Sequence, residues 1–322
     1  MDQRLVGTLL VVVAAAGFGS GALFAKGVYG ASEIGFLTLM LWRFLLGAGA
    51  TWIWIAASAR RRAAVGATDR RLLASGLLLG VLYTGGSATY FAGLETVSAS
   101  LAALIVFIYP ALSGVLSLRF GRRLEGRRAW SALALALVGC VLTIGGIPTG
   151  EVPPLGPLLL VIASPIIYSF WLLLQAWLTG ERRGGAASGR VDAEPVVIAA
   201  AVNSGAAGAY LAVALLVAAP IVPATSDPGV LAMIGGIGFF STFVAIVGVT
   251  EGSRRIGAAN AALVSTVEPL WTIALGAFLL GESLTPVQLI GGALILVGVI
   301  VAQTRPRGAR EAAWPMPRIA DE

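Results

Sequence analysis

Residues 100–110 read Ser-Leu-Ala-Ala-Leu-Ile-Val-Phe-Ile-Tyr-Pro, and residues 259–269 read Ala-Asn-Ala-Ala-Leu-Val-Ser-Thr-Val-Glu-Pro. At an offset of 159 the two stretches share Ala-Ala-Leu and close on the same proline. The same offset lays Leu137-Val-Gly139 on Leu296-Val-Gly298, and earlier in each half Gly7-Thr-Leu-Leu answers Gly156-Pro-Leu-Leu. Apolar segments resemble one another by composition alone. Shared proline and glycine positions are harder to obtain that way, because each alters the backbone where it stands. The chain therefore reads as one unit used twice.

The medium around that unit follows from composition. Apolar residues make up 57% of the 322 and charged residues 12%, with a mean hydropathy of +0.89. Soluble domains carry about a quarter charged residues. The apolar residues also fall in blocks near the length that crosses a ~30 Å hydrocarbon core as helix. The blocks predict spans at 5–28, 34–58, 71–93, 97–119, 129–147, 155–179, 195–219, 229–251, 259–280 and 286–303. Each must be helical, since a lone segment in lipid satisfies its backbone internally. Short alternating segments of the β-barrel kind are missing. The first span, after Arg4, has a signal-peptide outline with Ala14-Ala15-Ala16 as a cleavage site. It reads instead as the first span of the repeat, because its removal would break the count in both halves.

Charge sets the orientation. Twenty of the 22 Lys and Arg residues fall at the N-terminus, in alternate loops and at the C-terminus: Arg4, Arg60 to Arg62, Arg70 and Arg71, Arg119 to Arg128, Arg182 to Arg190, Arg254 and Arg255, and Arg305 to Arg318. The opposite loops carry Glu33, Glu95, Glu151 and Asp227 and no basic residue. By the positive-inside rule both termini are cytoplasmic, which requires an even number of spans. The net charge of +6 is then an orientation signal, and no nucleic-acid partner is needed to explain it. Five spans per half is odd, so the second half enters the membrane upside down. The expected fold is an all-α membrane protein of ten transmembrane helices in two inverted repeats, 1–149 and 150–304, with a basic cytoplasmic tail at 305–322.

The second half carries a family likeness. Ala262-Leu-Val-Ser-Thr-Val-Glu-Pro269, Leu280-Gly-Glu-Ser-Leu-Thr285 and Gly291-Gly-Ala-Leu-Ile-Leu-Val-Gly298 resemble the last two helices of the drug/metabolite transporter superfamily with two EamA domains. The likeness covers about residues 5–303. It implies ten helices around a central cavity, alternating access and a small-molecule cargo in a bacterial-type inner membrane. Bacterial members of this architecture include amino-acid exporters of the YddG type, the subgroup to which the likeness points. In the first half Arg122-Arg-Leu-Glu125 stands where the family has Leu-Gly-Glu, a departure from the pattern.

Candidate site residues are those that are costly to place in lipid. A mid-bilayer charge costs roughly 2.5–3.5 kcal/mol even on the lenient insertion scale. Arg43 and Glu268 each lie nine residues into their helices, entered from opposite sides, so their depths differ by about 3 Å. They are expected either to pair, holding two helices together, or to face the cavity. Lys26 lies near a helix end, where its ammonium can snorkel to the interface, and Glu251 is interfacial too. Tyr83, Tyr109, Ser164, Tyr168, Asn203, Ser265 and Trp271 fall near mid-span and need polar partners, so several should line the cavity; packing explains any single one as well. Trp52, Trp54 and Trp130 at span ends read as interfacial anchors. Pro110, Pro165 and Pro269 interrupt helical hydrogen bonding and are candidates for gating or for static kinks. Gly17 and Gly21, and Gly76 and Gly80, have the spacing of close helix packing.

These groups weigh the functions. Arg43 or Lys26 suits a carboxylate, while Glu268 and aromatic faces suit an ammonium, so neutral or aromatic amino acids lead as cargo. Sugar phosphates would need more cations. A cationic drug exchanged for protons would need one carboxylate, for which Glu268 serves. A membrane-embedded enzyme would need a catalytic cluster, yet the chain has no histidine and one cysteine, Cys140. No metal or cofactor is implied. Proton coupling, exchange and facilitated diffusion all remain open, as does the oligomeric state, a monomer included.

Overall fold

The computed structural model describes residues 2–93, 96–97, 99–124, 126–144, 153–180, 194–280 and 285–303. Glu95, Glu125, Glu151, Arg182, Arg183, Arg190, the turn at 281–284 and the basic tail lie outside the described residues. Among the described residues, helices are the regular structure and no strand occurs. They are α1 (Gln3–Ala31), α2 (Phe36–Ala56), α3 (Ala59–Ala67), α4 (Arg70–Gly93), α5 (Ala99–Val106), α6 (Tyr109–Phe120) and α7 (Gly126–Ile144). The second half adds α8 (Leu155–Leu178), α9 (Pro195–Leu216), α10 (Pro228–Gly238), α11 (Ala245–Ile256), α12 (Ala258–Val264), α13 (Glu268–Leu280) and α14 (Pro286–Gln303).

Taken with their breaks, nine of the described helices are long and apolar enough to cross a membrane, and Pro286–Ala302 is a shorter apolar one. They fall where the apolar blocks predicted them. Their outer faces carry large apolar side chains, among them Leu216 and Phe278, 85% and 86% exposed. A water-facing surface would not tolerate a continuous belt of this kind. Small residues line the closest helix seams. On α4, Gly80 sits so close to the Val202 carbonyl of α9 that a Cβ would clash, and Gly76 faces Ala201. Gly17 of α1 lies where a Cβ would stand 2.5 Å from the Phe240 carbonyl. Without a hydrophobic drive between helices in lipid, close backbone approach supplies the packing.

Three features differ from uninterrupted spans. The fourth expected span is broken between α5 and α6 at Phe107 and Ile108, two residues before Pro110. The ninth passes through a 3-10 turn, Ser265–Val267, before Glu268 and Pro269. Both breaks fall at equivalent repeat positions, and both follow from a proline that lacks an N–H and crowds the preceding turn. Pro165, by contrast, sits inside a continuous α8. The eighth span contains a π-helical segment, Phe239–Val244, between α10 and α11, which the sequence reading did not anticipate. The short α3, with Ala64 and Val65 partly buried, is also unanticipated; its Arg61 donates to the Trp54 carbonyl at 3.0 Å and stands 3.9 Å over the Trp54 ring.

The two halves interleave. α7 packs on α14, α2 on α9, and α6 on α12; α4 packs on α8 and α9, as α1 and α2 pack on the α10–α11 span. One contact repeats atom for atom. Gly252 faces the Gly7 carbonyl and the Val11 nitrogen and Cγ2; Gly93 faces the Pro157 carbonyl and the Val161 nitrogen and Cγ2.

Candidate functional site

The helix breaks and the π-helical segment bring polar groups together where backbone regularity lapses. Arg43, on α2, reaches the π segment: Nε donates to Thr242 Oγ1 at 3.0 Å and a terminal nitrogen donates to the Ser241 carbonyl at 3.1 Å. Its other terminal nitrogen lies 4.0 Å from the Met40 sulfur, and the Tyr83 phenol is a further neighbour of the guanidinium. The guanidinium carbon stands 5.3 Å from the centre of the Phe44 ring. Thr242 in turn donates to the Ile237 carbonyl at 3.2 Å, five residues back. The wide π turn thus orients the threonine that holds the arginine, in keeping with the frequent placement of π segments at functional sites.

Glu268 opens α13, directly after the 3-10 turn, where the helix N-terminus favours a negative charge. Arg43 and Glu268 do not form an ion pair, so direct pairing is not how these charges are accommodated. Arg43 is occupied by the π segment instead. The two charges remain within electrostatic reach of each other, and both are partly accessible.

Beside them runs an aromatic wall drawn from five helices. Tyr109 meets Tyr168 edge-on at 4.8 Å, Tyr168 stacks on Trp171 at 5.3 Å, and Trp171 lies 4.8 Å from Tyr83. Tyr83 meets Phe44 at 5.7 Å, and Phe44 stacks on Tyr210 at 5.6 Å. The Tyr83 phenol neighbours Arg43, the Tyr109 phenol neighbours Ser265, and the phenols of Tyr83, Tyr109 and Tyr168 all lie within electrostatic reach of Glu268. Local backbone needs place these rings. Ser169 donates to the Tyr109 carbonyl at 3.2 Å and to the Pro165 carbonyl at 2.7 Å, tying the α5–α6 break to α8. Cys140 Sγ lies 3.8 Å from the Thr266 carbonyl of the other break.

Of the residues singled out in the sequence, Arg43, Tyr83, Tyr109, Tyr168, Ser265 and Glu268 come together. Three do not join them. Ser164 is buried in the α4–α8 seam beside Gly86. Asn203 is fully buried and donates to Thr51 Oγ1 at 3.1 Å across the α2–α9 seam. Trp271 is 43% exposed and donates to Ser20 Oγ of α1 at 3.0 Å. Pro110 and Pro269 border the two helix breaks, and Pro165 lies one turn from Ser169. Lys26 is exposed near the end of α1, as an interfacial ammonium should be. Glu251 pairs with Arg254 at 3.5 Å and with Arg255 at the end of α11, again an interfacial position.

The sequence reading missed Phe44, Trp171, Tyr210 and the Ser241–Thr242 pair. Trp171 lies one turn beyond Tyr168, so helical spacing from that residue would have found it, whereas Phe44, adjacent to Arg43, has no such spacing signal. Ser87 bonds the Tyr210 hydroxyl. Nothing in the local sequence marks the π segment.

The model of the EamA-like transporter family matches residues 5–145 and again residues 155–304. An archaeal protein from Archaeoglobus fulgidus, named an uncharacterized transporter, is 28% identical over 238 residues, covering 74% of this chain and 78% of that protein. The inner membrane transporter YedA of Escherichia coli K12 is 26% identical over 230 residues, covering 70% and 68%. A protein of known crystal structure superposes with a TM-score of 0.74 at 18% identity, covering 92% of this chain and 96% of that one, a likeness of fold. With two family matches, a belt of lipid-facing side chains and a polar cluster between the halves, the chain belongs to the EamA-like transporter family and is a multi-pass membrane transporter.

Proposed function

We propose that this protein exports small zwitterionic metabolites, neutral or aromatic amino acids foremost, across a bacterial inner membrane by alternating access. The observation that carries this reading is the pair of charges held apart. Arg43 is fixed to the π segment through two of its nitrogens and turns a third towards Met40, while Glu268 stands apart from it without an ion pair, beside the aromatic wall. A free amino acid has a carboxylate for the guanidinium, an ammonium for the carboxylate and a side chain for the rings. Tyr83, Tyr109, Tyr168, Ser265, Phe44 and Trp171 complete the site, and Pro110 and Pro269 mark the helix breaks that flex around it. Amino-acid export of the YddG type fits this arrangement.

Ten spans in two inverted repeats, with both termini cytoplasmic, form the frame of this proposal. Its support lies in the matched glycine contacts. Gly252 lies near Arg254 and Arg255, and Gly93 lies at the end of α4 remote from Arg70 and Arg71, so the equivalent contacts sit at opposite ends of the bundle. The test is counterflow of radiolabelled amino acids in proteoliposomes, with a cationic dye run alongside. Uptake of leucine or phenylalanine that competes with unlabelled substrate supports the proposal. Transport of the dye without any amino acid would replace it with the second reading, efflux of cations on Glu268 alone, which the unpaired state of that carboxylate favours.

A further inference from the structure

Exchanging the two halves carries the principal helix contacts onto one another. α1 with α11 becomes α8 with α4, α2 with α10 becomes α9 with α4, and α1 with α13 becomes α8 with α6. Among those that break the rule are two on α11. α8 and α9 both pack on α11, whereas among the described residues α1 and α2 make no extended contact with α4. The unmatched contacts gather where α8 ends, α9 begins and α11 ends, beside Arg254 and Arg255. At the other end α1 and α4 stand apart, with Lys26 and Tyr29 exposed and Ala25 partly so.

The closed seam has a polar centre. Gln175 of α8 and Thr250 of α11 are both fully buried, and Thr250 Oγ1 donates to Gln175 Oε1 at 2.8 Å. Ser253, also buried, donates to the Thr250 carbonyl at 3.1 Å. The glycine contacts fix the register between halves, with α1 lying 150 residues before α8 and α4 lying 159 before α11. The positions answering Gln175 and Thr250 are then Ala25 and Phe91, a pair without a side-chain hydrogen bond to offer.

We propose that Gln175 and Thr250 latch a gate: their hydrogen bond seals the basic end while the opposite end stands open, and it parts when α1 and α4 close on each other. The inference rests on the transport reading and on the inverted repeat. Halves of opposite orientation have a second arrangement in which each adopts the other's shape. In it the Ala25 and Phe91 positions approach and the α8–α11 seam opens. The latch biases the molecule towards the basic-end-sealed state. The bias is held in check, because Gln175 Nε2 is buried without an acceptor and an unmet donor opposes closure.

The test needs no cargo, so a wrong substrate assignment leaves it standing. In the full chain with Cys140→Ser, Ser253→Cys reports on the sealed end and Ala25→Cys on the open end. Each is labelled in sealed vesicles with an impermeant maleimide. Adding Thr250→Val should speed labelling at position 253 by about threefold to tenfold, the weight of one neutral hydrogen bond, and slow it at position 25. Thr250→Ser, which keeps the hydroxyl, should restore both rates. Unchanged rates at both reporters with Thr250→Val overturn the latch. A second arm oxidises Gln175→Cys with Thr250→Cys in liposomes. The crosslink should abolish flux of any cargo the protein carries, reversibly on reduction, and crosslinked protein that still transports overturns the gate.

Discussion

Arg43 shows how one side chain can be both anchored and available. Two of its nitrogens are committed to the π segment, through Thr242 Oγ1 and the Ser241 carbonyl, and this fixed fork distinguishes it from a lysine. Arg43→Lys keeps the charge but loses the fork, so counterflow of a labelled amino acid should fall by about tenfold or more, the loss of one charge-assisted hydrogen bond. Glu268→Gln keeps the shape and removes the ammonium partner. Its apparent affinity for a zwitterion should drop by a similar factor in the same assay, with the melting temperature in detergent little changed. Exchanging the charges, Arg43→Glu with Glu268→Arg, should not rescue transport. A carboxylate at position 43 would face the Ser241 carbonyl, an acceptor against an acceptor. Recovery of flux in the exchanged protein would mean that the two charges act as a simple pair. Depth along the helices placed Arg43 and Glu268 at one level from the sequence alone. What their depth did not carry was the partner, because Thr242 is brought to Arg43 by a π turn with no local sequence mark.

At the scale of elements, the seams explain what the helices tolerate. Gly80→Ala would set a methyl against the Val202 carbonyl of α9. Overpacking a rigid seam costs about 1–3 kcal/mol, so the melting temperature of the purified protein should fall by several degrees. Gly49→Ala, which meets open space, is the matched control and should leave it unchanged. The two proline breaks differ from the kinked α8. Pro110→Ala and Pro269→Ala restore an amide donor and let α5 run into α6, or α12 into α13. Each variant should remain folded by its thermal transition while transport slows, if the break is the joint on which that span moves. Equal flux in both variants would assign the breaks to static packing. Span positions, the GxxxG seams and the prolines were all readable in the sequence, because lipid leaves the backbone few choices. The breaks were read as kinks, since the pattern of apolar residues is continuous through Phe107 and Ile108 and gives no sign of where the ladder lapses. Asn203 and Trp271 find their partners in Thr51 and Ser20, a matter of how α9 and α13 rotate against their neighbours, which depth along a helix does not carry.

For the molecule as a whole, the repeat is legible as sequence yet is not a pair of domains in the usual sense. A domain carries its own core. Here α7 rests on α14, α2 on α9, and α4 on α8 and α9, so each half finds its packing surface on the other. The buried residues of α9 include nearly all of Val196 to Ala207, and what covers them is largely α2, α4 and α11. Residues 1–149 expressed alone should therefore insert as helices but fail to form a stable bundle, and so should 150–322. Expressed together as separate chains, with an affinity tag on one, they should co-purify in stoichiometric amounts and recover flux. The connection between them contributes only loop closure, a cost that grows slowly with length. Either half purifying as a stable, monodisperse monomer with a cooperative melt would contradict this account. That result would place the core within halves rather than between them, and a site built from α2 and α4 on one side and α13 on the other would lose its frame.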